Sequence, residues 1–325
     1  MARQTLGYLR NLFDREGIAP RKRFGQNFLI DLNLHDVIVA AGEVGPDDVV
    51  LEVGPGAGAL TRRMADLGAA VVAVEIDPAM ARLTRKAVEG CPNVRVLQRD
   101  ALANKNRIAP EVLDAIHAGL AVDPANRRFK LVANLPYNVA TPILSNLLVA
   151  EEPPVELMAV TIQWEVAERI VAPPGSSEYG SLSVLINALA TAEIVRKLPP
   201  TVFWPRPLVD SAIVVIRPDP ARRARLADVP WFQSVVRQVF NHRRKNIRRV
   251  LHGYYRDLLE KSEIEELLAR AGLAPDARAE TMTVEQLAGL ASHLKERLPS
   301  RSASDAGLEE DAEDQHAADE DGDQV

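Results

Sequence analysis

The chain has little of what several protein classes require. Among its 325 residues there is one cysteine, Cys91, which excludes an internal disulfide and a zinc site built from several thiolates. The six histidines lack metal-ligand spacing, and no apolar run is long enough to span a membrane. Residues 1–17 contain Asp14 and Glu16 and no apolar core, so they do not read as a secretory signal. We therefore expect a soluble, cytoplasmic protein without a metal ion.

Acidic residues are concentrated near the C-terminal end. Residues 301–325 hold ten acids and one arginine, a balance of −9, whereas the whole chain has a formal charge of −6. Residues 1–300 therefore carry 38 bases and 35 acids, a balance of +3. Because the tail also lacks apolar periodicity, residues 299–325 are predicted to be disordered. We interpret the tail as a solubilising segment, or as a competitor for a basic face of the same protein.

Short apolar runs alternate with helical patterns along most of the chain, as in doubly wound α/β folds. The predicted sheet is mostly parallel with one late antiparallel strand, and its seven strands are residues 49–53, 70–74, 94–97, 129–133, 157–162, 192–197 and 212–217. After Pro218-Asp219-Pro220 the pattern is helical. The predicted domains are a helical lead-in, an α/β domain, a helical domain and the tail, over residues 1–48, 49–217, 218–298 and 299–325.

A glycine-rich turn follows the first predicted strand. Gly54, Gly56 and Gly58 stand in the spacing Gly-x-Gly-x-Gly, just before a predicted helix. Residues without a side chain let the backbone approach a ligand closely at a helix N-terminus. Dinucleotide-binding folds, including nicotinamide dehydrogenases, use the longer spacing Gly-x-Gly-x-x-Gly. The shorter spacing favours a nucleoside without a pyrophosphate, such as S-adenosylmethionine.

Polar side chains end the strands that follow. Glu75 lies about twenty residues beyond the glycines, where doubly wound folds place an acid on a ribose hydroxyl pair. Asp100 follows the next strand, and its carboxylate would suit the amino group of an adenine. The simpler interpretation is that both acids only cap turns. Because Asn134 ends the fourth strand as well, we favour a nucleoside site at this edge of the sheet.

The segment Asn134-Leu135-Pro136-Tyr137 has the parts needed to hold a planar nitrogen heterocycle. The ring of Tyr137 offers a stacking surface worth roughly 1–3 kcal/mol per base. Oxygens of Asn134 and Leu135 can accept hydrogen bonds from an exocyclic amino group, and Pro136 fixes the backbone between them and the ring. An ordinary strand-to-helix turn is the simpler interpretation, and the upstream glycines and acids argue against it.

A basic segment lies in the helical region. No acid occurs between Asp228 and Asp257, and residues 237–249 hold six bases. Read as one helix, this segment places Arg244 and Arg248 on the same face. A solvated face is the simpler interpretation. Because no acids are interspersed, we predict phosphate contacts from Arg243, Arg244, Lys245 and Arg248.

Together these motifs resemble those of the ribosomal RNA adenine N6-dimethyltransferase family that modifies small-subunit RNA. The matching segments occur in family order over roughly residues 20–290, and their joint occurrence makes the resemblance specific. They are residues 25–29, 51–56, 74–77, 100–101, 134–137, 165–169, 178–183, 203–207 and 243–245.

The resemblance implies a class I methyltransferase fold, α/β and doubly wound, with a small C-terminal helical domain. It implies S-adenosylmethionine as the methyl donor, bound by Asn27, Leu29, Gly54, Glu75, Asp100 and Asn134. It also implies N6,N6-dimethylation of two adjacent adenosines near the 3′ end of small-subunit (16S) rRNA, as part of ribosome biogenesis. The expected partner is this RNA or a partly assembled small subunit, and a monomer is the default state.

The expected chemistry gives roles to the candidate catalytic residues. Carbonyl oxygens of Asn134 and Leu135 would hold the N6 amino group in line with the donor methyl, so that orientation supplies much of the catalysis. Tyr137 would stack on one face of the extruded base, and Phe203 or Trp204 would close the other. For these two aromatic residues, core packing is an equal alternative. The full candidate catalytic set is Asn134, Leu135, Pro136, Tyr137 and Phe203.

Two residues depart from the family pattern. Asn138 stands where an aromatic or apolar residue is usual, and Trp164 stands where lysine is usual; both concern the rim of the target pocket. Among the alternatives, a DNA adenine methyltransferase usually carries proline at the position of Leu135. The large-subunit, antibiotic-resistance branch shares most motifs, but residues 203–210 are more similar to the small-subunit branch. An assembly factor with incidental methylation is the alternative from another class.

Overall fold

The structure, a computed structural model, describes residues 6–21 and 25–298, and only the backbone of Leu32. The tail predicted to be disordered lies outside the described residues. The helices are α1 (Leu6–Glu16), α2 (Leu32–Ala41), α3 (Ala59–Asp66), α4 (Pro78–Ala87), α5 (Pro110–Leu120), α6 (Ala140–Val149), α7 (Trp164–Val171), α8 (Ser181–Leu189), α9 (Pro220–Arg223), α10 (Val229–Asn241), α11 (Ile247–Tyr255), α12 (Lys261–Arg270) and α13 (Val284–Arg297). The strands are β1 (Phe28–Leu29), β2 (Asp48–Val53), β3 (Ala70–Glu75), β4 (Val94–Gln98), β5 (Leu102–Asn104), β6 (Arg107–Ile108), β7 (Arg128–Asn134), β8 (Val155–Gln163), β9 (Ala190–Leu198), β10 (Phe203–Trp204) and β11 (Ser211–Pro218).

Seven strands form one sheet in the order β4-β3-β2-β7-β8-β11-β9. The strands β4, β3, β2, β7 and β8 are parallel, and β11 is antiparallel to both β8 and β9. All six residues of β2 are buried, as expected of a central parallel strand between packed helices. The predicted doubly wound fold, its seven strands and its late antiparallel strand are confirmed.

The strand order reverses between β2 and β7. From β2 the chain runs outward through β3 to β4, and it then returns to the other side of β2 to form β7. Such a reversal opens a crevice at the carboxyl ends of the two central strands. The strand β2 ends at Val53, just before the glycine turn, and β7 ends at Asn134. The fold therefore brings the two most informative motifs to neighbouring strand ends.

A buried ion pair fixes the other end of β2. Asp48 is fully buried and Lys130 is 3% exposed. The Nζ atom of Lys130 lies 2.9 Å from Asp48 Oδ2 and donates to the Glu43 carbonyl at 2.6 Å. Because Lys130 lies on β7, this pair joins the two central strands away from their carboxyl ends.

The chain divides into two compact units that alternate along the sequence. Among the described residues, the first unit comprises those up to Val171 together with Leu189–Asp219, and the second comprises Ala172–Ala188 together with residues 220–298. The domain boundary expected after residue 217 stays a prediction, and the division into compact units falls after Asp219. The segment 172–188, which lies within the predicted α/β domain, belongs to the second unit. There the hydroxyl of Tyr179 donates to the Met282 carbonyl at 3.0 Å.

Candidate active site

A cleft in the first unit lies at the carboxyl ends of the parallel strands. It encloses about 790 Å³, open solvent at its mouth included. Its walls are residues 25–28, Val53, Gly54, Gly56, residues 74–76, 99–101 and 134–139. Of the residues predicted from the sequence, Asn27, Gly54, Glu75, Asp100, Asn134, Leu135, Pro136 and Tyr137 all line this cleft.

The glycine turn brings backbone to the cleft wall, and the two of its glycines that line the cleft leave no room for a side chain. Gly54 and Gly56 have φ values of +74° and +58°, which disfavour any side chain. A Cβ on Gly54 would lie 2.8 Å from Pro136 Cγ, and one on Gly56 would lie 2.8 Å from Phe28 Cε1. The turn therefore packs directly against the two other motifs that line the cleft.

The Glu75 carboxylate is buried at the end of β3, with 5% of the residue exposed. Its Oε1 accepts from the Asp77 N–H at 2.9 Å, and its Oε2 accepts from the Gly56 N–H at 3.4 Å. Burial raises the pKa of Glu75 to about 7, although these backbone donors oppose the rise. An acid held in this way beside the glycine turn is well placed to accept from hydroxyl groups.

The segment 25–28 is attached to the end of β3 through Asp77. The Oδ1 of Asp77 accepts from the Ala79 N–H at 2.9 Å and so caps α4. Its Oδ2 accepts from Gln26 Nε2 at 3.3 Å. Asp100, after β4, is exposed at the cleft, and its Oδ1 accepts from the Leu102 N–H at 2.9 Å. Asp100 therefore both caps a turn and lines the cleft, whereas Asp77 is buried and does not line it.

The segment 134–137 is held from several directions. Asn134 Nδ2 donates to the Asn27 carbonyl at 2.9 Å, which leaves the amide oxygen as the acceptor of this side chain. The Leu135 N–H donates to the Thr161 carbonyl at 3.1 Å, and the Leu135 side chain is buried. Tyr137 is half-buried, and its hydroxyl lies 2.7 Å from Ser211 Oγ. Ser211 lies outside the segments whose sequence pattern indicated the site.

Leu29 lines a smaller cavity rather than the cleft. This cavity shares Gly54, Gly56, Phe28 and Asn134 with the cleft, and it is also lined by His35 and Glu52. Burial raises the pKa of Glu52 to about 8 and lowers the pKa of His35 to about 4. Glu52 Oε2 has no hydrogen-bond partner among the described residues. Glu52 lies within the matching segment 51–56, but its place in a strand pattern did not indicate a functional role.

Phe203 is buried in the protein interior, whereas Trp204 is half-buried. Phe203 is 3% exposed in the core, and β10 pairs with β1 so that Phe203 lies opposite Leu29. The Trp204 ring packs on Phe13 and Phe28, with centroid distances of 5.3 and 6.3 Å. Neither residue is part of the cleft wall. The Phe203 ring is buried in the core, as its core-packing alternative describes, and its contact with the base stays a prediction.

The basic segment of the second unit is not one helix. The helix α10 ends at Asn241, residues 242–246 form a turn, and Asn246 caps α11 by accepting from the Arg248 N–H at 3.0 Å. The expectation that Arg244 and Arg248 share a helix face is therefore wrong, because the Asn246 side chain starts a new helix.

The four predicted phosphate-binding side chains differ in their surroundings. Arg243 donates to the carbonyls of Ser177 and Tyr179 at 3.0 and 3.2 Å. Arg248 lies 2.6 Å from Glu265, an acid of α12. The basic segment contains no acid itself, but the fold brings this one next to it. Arg244 and Lys245 are exposed, as is the neighbouring Arg249, and these three make no ion pair with the described part of the chain.

The two residues that depart from the family pattern also have defined positions. Asn138 is exposed and lines the cleft. Trp164 begins α7, and its ring lies beneath Lys197 Nζ at 4.2 Å from the centroid, a cation–π contact. Within residues 6–21 and 25–298 no helix is long and apolar enough to cross a membrane. The same ranges contain no cluster of three or more side chains suited to a metal ion.

The sheet order, the glycine turn after the central strand and the buried acid ending the next strand define a class I methyltransferase that uses S-adenosylmethionine. The chain belongs to the family described as "Ribosomal RNA adenine dimethylase", which it matches over residues 18–296.

Known proteins agree with this assignment. The chain is 40% identical to the "Ribosomal RNA small subunit methyltransferase A" of Pelotomaculum thermopropionicum over 286 residues, 87% of this chain and 94% of the relative. The crystal structure of a dimethyladenosine transferase from Plasmodium falciparum has the same fold, with a TM-score of 0.65, 21% identity and coverage of 82% and 97%. The 23S rRNA methyltransferase ErmE gives a TM-score of 0.54, 29% identity and coverage of 83% and 100%.

Proposed function

We propose that this protein transfers methyl groups from S-adenosylmethionine to N6 of two adjacent adenosines near the 3′ end of small-subunit (16S) rRNA. The observation that carries the proposal is the amide of Asn134, whose Nδ2 is engaged by the Asn27 carbonyl, so that its oxygen is the acceptor at the cleft. The 40% identity to a small-subunit methyltransferase favours small-subunit RNA over large-subunit RNA, the substrate named for the relative that is 29% identical.

The cleft has the parts that the methyl donor requires. Glu75 would accept from the ribose hydroxyls, and the exposed side chain of Ile76, which also lines the cleft, would pack on the adenine ring. Asp100 would accept from the adenine amino group. The segment 25–29, with Asn27 and Leu29, and the backbone of Gly54 would enclose the remainder. When bound, the donor supplies an electrophilic methyl group on a sulfonium.

The residues of the segment 134–137 would orient the target base. An adenine amino nitrogen is a weak nucleophile because its lone pair is delocalised into the ring. Asn134 Oδ1 and the Leu135 carbonyl would accept its two hydrogens and favour a tetrahedral nitrogen aligned with the methyl group. Tyr137 would stack on the extruded base. Pro136, packed on Gly54, would keep the donor and the base sites in register.

Arg244 and Lys245, with Arg249 added, are the proposed phosphate contacts of the second unit. They are exposed and unpaired within the described ranges, and such contacts position RNA without reading its sequence. Arg243 and Arg248 would contribute less, because each already has a protein partner. We also propose that the protein acts as a monomer in the cytoplasm, on the small subunit or a partly assembled form of it.

Incubation of the purified protein with labelled donor and unmethylated small subunits tests the proposal. The expected result is up to four methyl groups per subunit, two on each of two adjacent adenosines, as mapped by mass spectrometry of the RNA. Free small-subunit RNA and large subunits serve as parallel substrates, and an Asn134→Ala variant controls for contaminating enzymes. Label on large subunits alone would assign the protein to the large-subunit alternative and overturn the proposal.

A further inference from the structure

The Tyr137 hydroxyl makes a hydrogen bond that stacking alone does not require. Tyr137 Oη lies 2.7 Å from Ser211 Oγ. Ser211 is fully buried, whereas Tyr137 is half-buried and lines the cleft. Ser211 itself is not a cleft-lining residue. A buried side chain therefore holds the tip of an aromatic ring that borders the candidate site.

The position of Ser211 is fixed by the sheet. As the first residue of β11, it pairs with Gln163 of β8 on one side and with Leu198 of β9 on the other. The preceding residue, Asp210, accepts from the Trp164 N–H through its carbonyl at 2.9 Å. Because the backbone is held from both sides, rotation about χ1 is the main freedom left to the hydroxyl.

The backbone of Tyr137 is fixed separately. Pro136 packs against Gly54, and the Leu135 N–H donates to the Thr161 carbonyl at 3.1 Å. The Tyr137 ring is thus held at its base by the turn and at its tip by Ser211. Rotation of the ring away from this direction would break the 2.7 Å hydrogen bond and leave a buried hydroxyl without a partner.

We propose that Ser211 is a positioning residue for methyl transfer, whose hydroxyl holds the Tyr137 ring in the orientation that stacks on the target adenine. This inference rests on the proposed function. Small errors in the orientation of a bound group are costly to a reaction that depends on alignment. Ser211 therefore acts through Tyr137 and not on the substrate. The stacking role alone predicts that Tyr137→Phe is nearly as active as the wild type, whereas this inference predicts a defect.

The test is single-turnover methylation of saturating unmethylated small subunits by the wild type, Ser211→Ala, Tyr137→Phe and the double variant. Each single variant should be about three- to tenfold slower, as expected for the loss of one hydrogen bond. The double variant should be no slower than the slower single variant, because both changes remove the same contact. Ser211→Thr, which keeps the hydroxyl, should recover most of the rate.

Two further measurements separate positioning from general damage. A small-subunit RNA fragment with 2-aminopurine at the target position reports stacking, and its quenching should weaken in Ser211→Ala while donor affinity stays unchanged. Ser183→Ala removes another buried hydroxyl, one that accepts from the Gly180 N–H at 3.0 Å in the second unit, and should leave the quenching at the wild-type level.

Wild-type rates for Ser211→Ala and Tyr137→Phe, or losses that multiply in the double variant, would overturn the inference while leaving the proposed function intact. Wild-type protein that does not methylate small subunits would overturn both. If Ser211→Ala does not fold, Tyr137→Phe breaks the same bond from the cleft side, and its rate and quenching decide the matter.

Discussion

Donor binding should depend on pH through Glu75. Burial raises the pKa of this carboxyl to about 7, so a large fraction of unliganded molecules carries it neutral at neutral pH. The ionised form is the stronger acceptor for ribose hydroxyls. A group of pKa about 7 is about one-tenth ionised at pH 6 and about nine-tenths ionised at pH 8. We therefore expect donor affinity to increase, by up to about tenfold, between these two pH values.

The stability of the unliganded protein should change in the opposite direction. Because the folded-state pKa of Glu75 lies above its ordinary value of 4.5, the folded protein binds this proton more tightly than the unfolded chain. The resulting stabilisation is complete below about pH 4.5 and is lost as the pH rises through about 7. A shift of this size corresponds to on the order of 3 kcal/mol. Glu52, whose pKa is raised to about 8, acts in the same direction.

Donor titration calorimetry and urea unfolding at pH 6, 7 and 8 measure both effects. Glu75→Gln keeps the side-chain size but cannot ionise, so its donor affinity should be about ten- to a hundredfold weaker at pH 8 and independent of pH. Glu52 titrates in both proteins, and since the charge of Glu75 contributes to its raised pKa, the donor affinity rather than the stability is the decisive comparison. Glu156→Gln, at an exposed position of β8, is the matched control. A wild-type affinity that is flat from pH 6 to 8, together with unchanged binding by Glu75→Gln, would refute the assignment.

Three other predictions concern the base site, the RNA contacts and the fold. Asn134→Ala should slow single-turnover methylation about ten- to a hundredfold with little change in subunit affinity, and a wild-type rate would contradict the orienting role. Replacing Arg244, Lys245 and Arg249 together by Gln should reduce the log–log slope of subunit affinity against salt concentration by about two. Arg248→Gln should change this slope little. A slope in the triple variant equal to that of the wild type would favour a solvated face. Lys130→Met should lower the free energy of unfolding by about 2–4 kcal/mol in urea, because it leaves the buried Asp48 carboxylate only the half-exposed Arg128, at 3.5 Å, as an ionic partner. Arg62→Met breaks an exposed pair and should cost at most about 1 kcal/mol, so a similar loss in both variants would argue against the buried pair.

Sequence reasoning succeeded where local pattern and strand-end chemistry coincide. The apolar runs predicted every strand of the large sheet, and parallel strands bring their carboxyl ends to one edge, which is why Glu75 and Asn134 were found. It failed where a contact joins distant segments. No periodic signal in the sequence indicates that Leu29 pairs with Phe203 in a two-stranded sheet. The same holds for the hydrogen bond between Tyr137 and Ser211, which lies 74 residues later.

The prediction that the basic segment forms one helix failed for a local reason. The acid-free segment was interpreted as one continuous helix, but Asn246 is a residue type that readily caps a new helix. The pairing of Arg248 with Glu265 could not be predicted from charge spacing along the segment, because that acid lies on α12.

The alternation of the two units also bears on the order in which the protein is synthesised. Segment 172–188 leaves the ribosome long before its partners, because Tyr179 bonds to Met282, 103 residues later. At about 5–20 residues per second, that delay is roughly 5–20 s. The last strand of the large sheet, β11, is complete at Pro218, so the first unit can form its sheet during this time. A chain truncated after residue 219 would therefore contain the complete sheet together with segment 172–188, which would lack its packing partners. Tyr179 would have no hydrogen-bond acceptor at Met282 and would be accessible to proteases and chaperones.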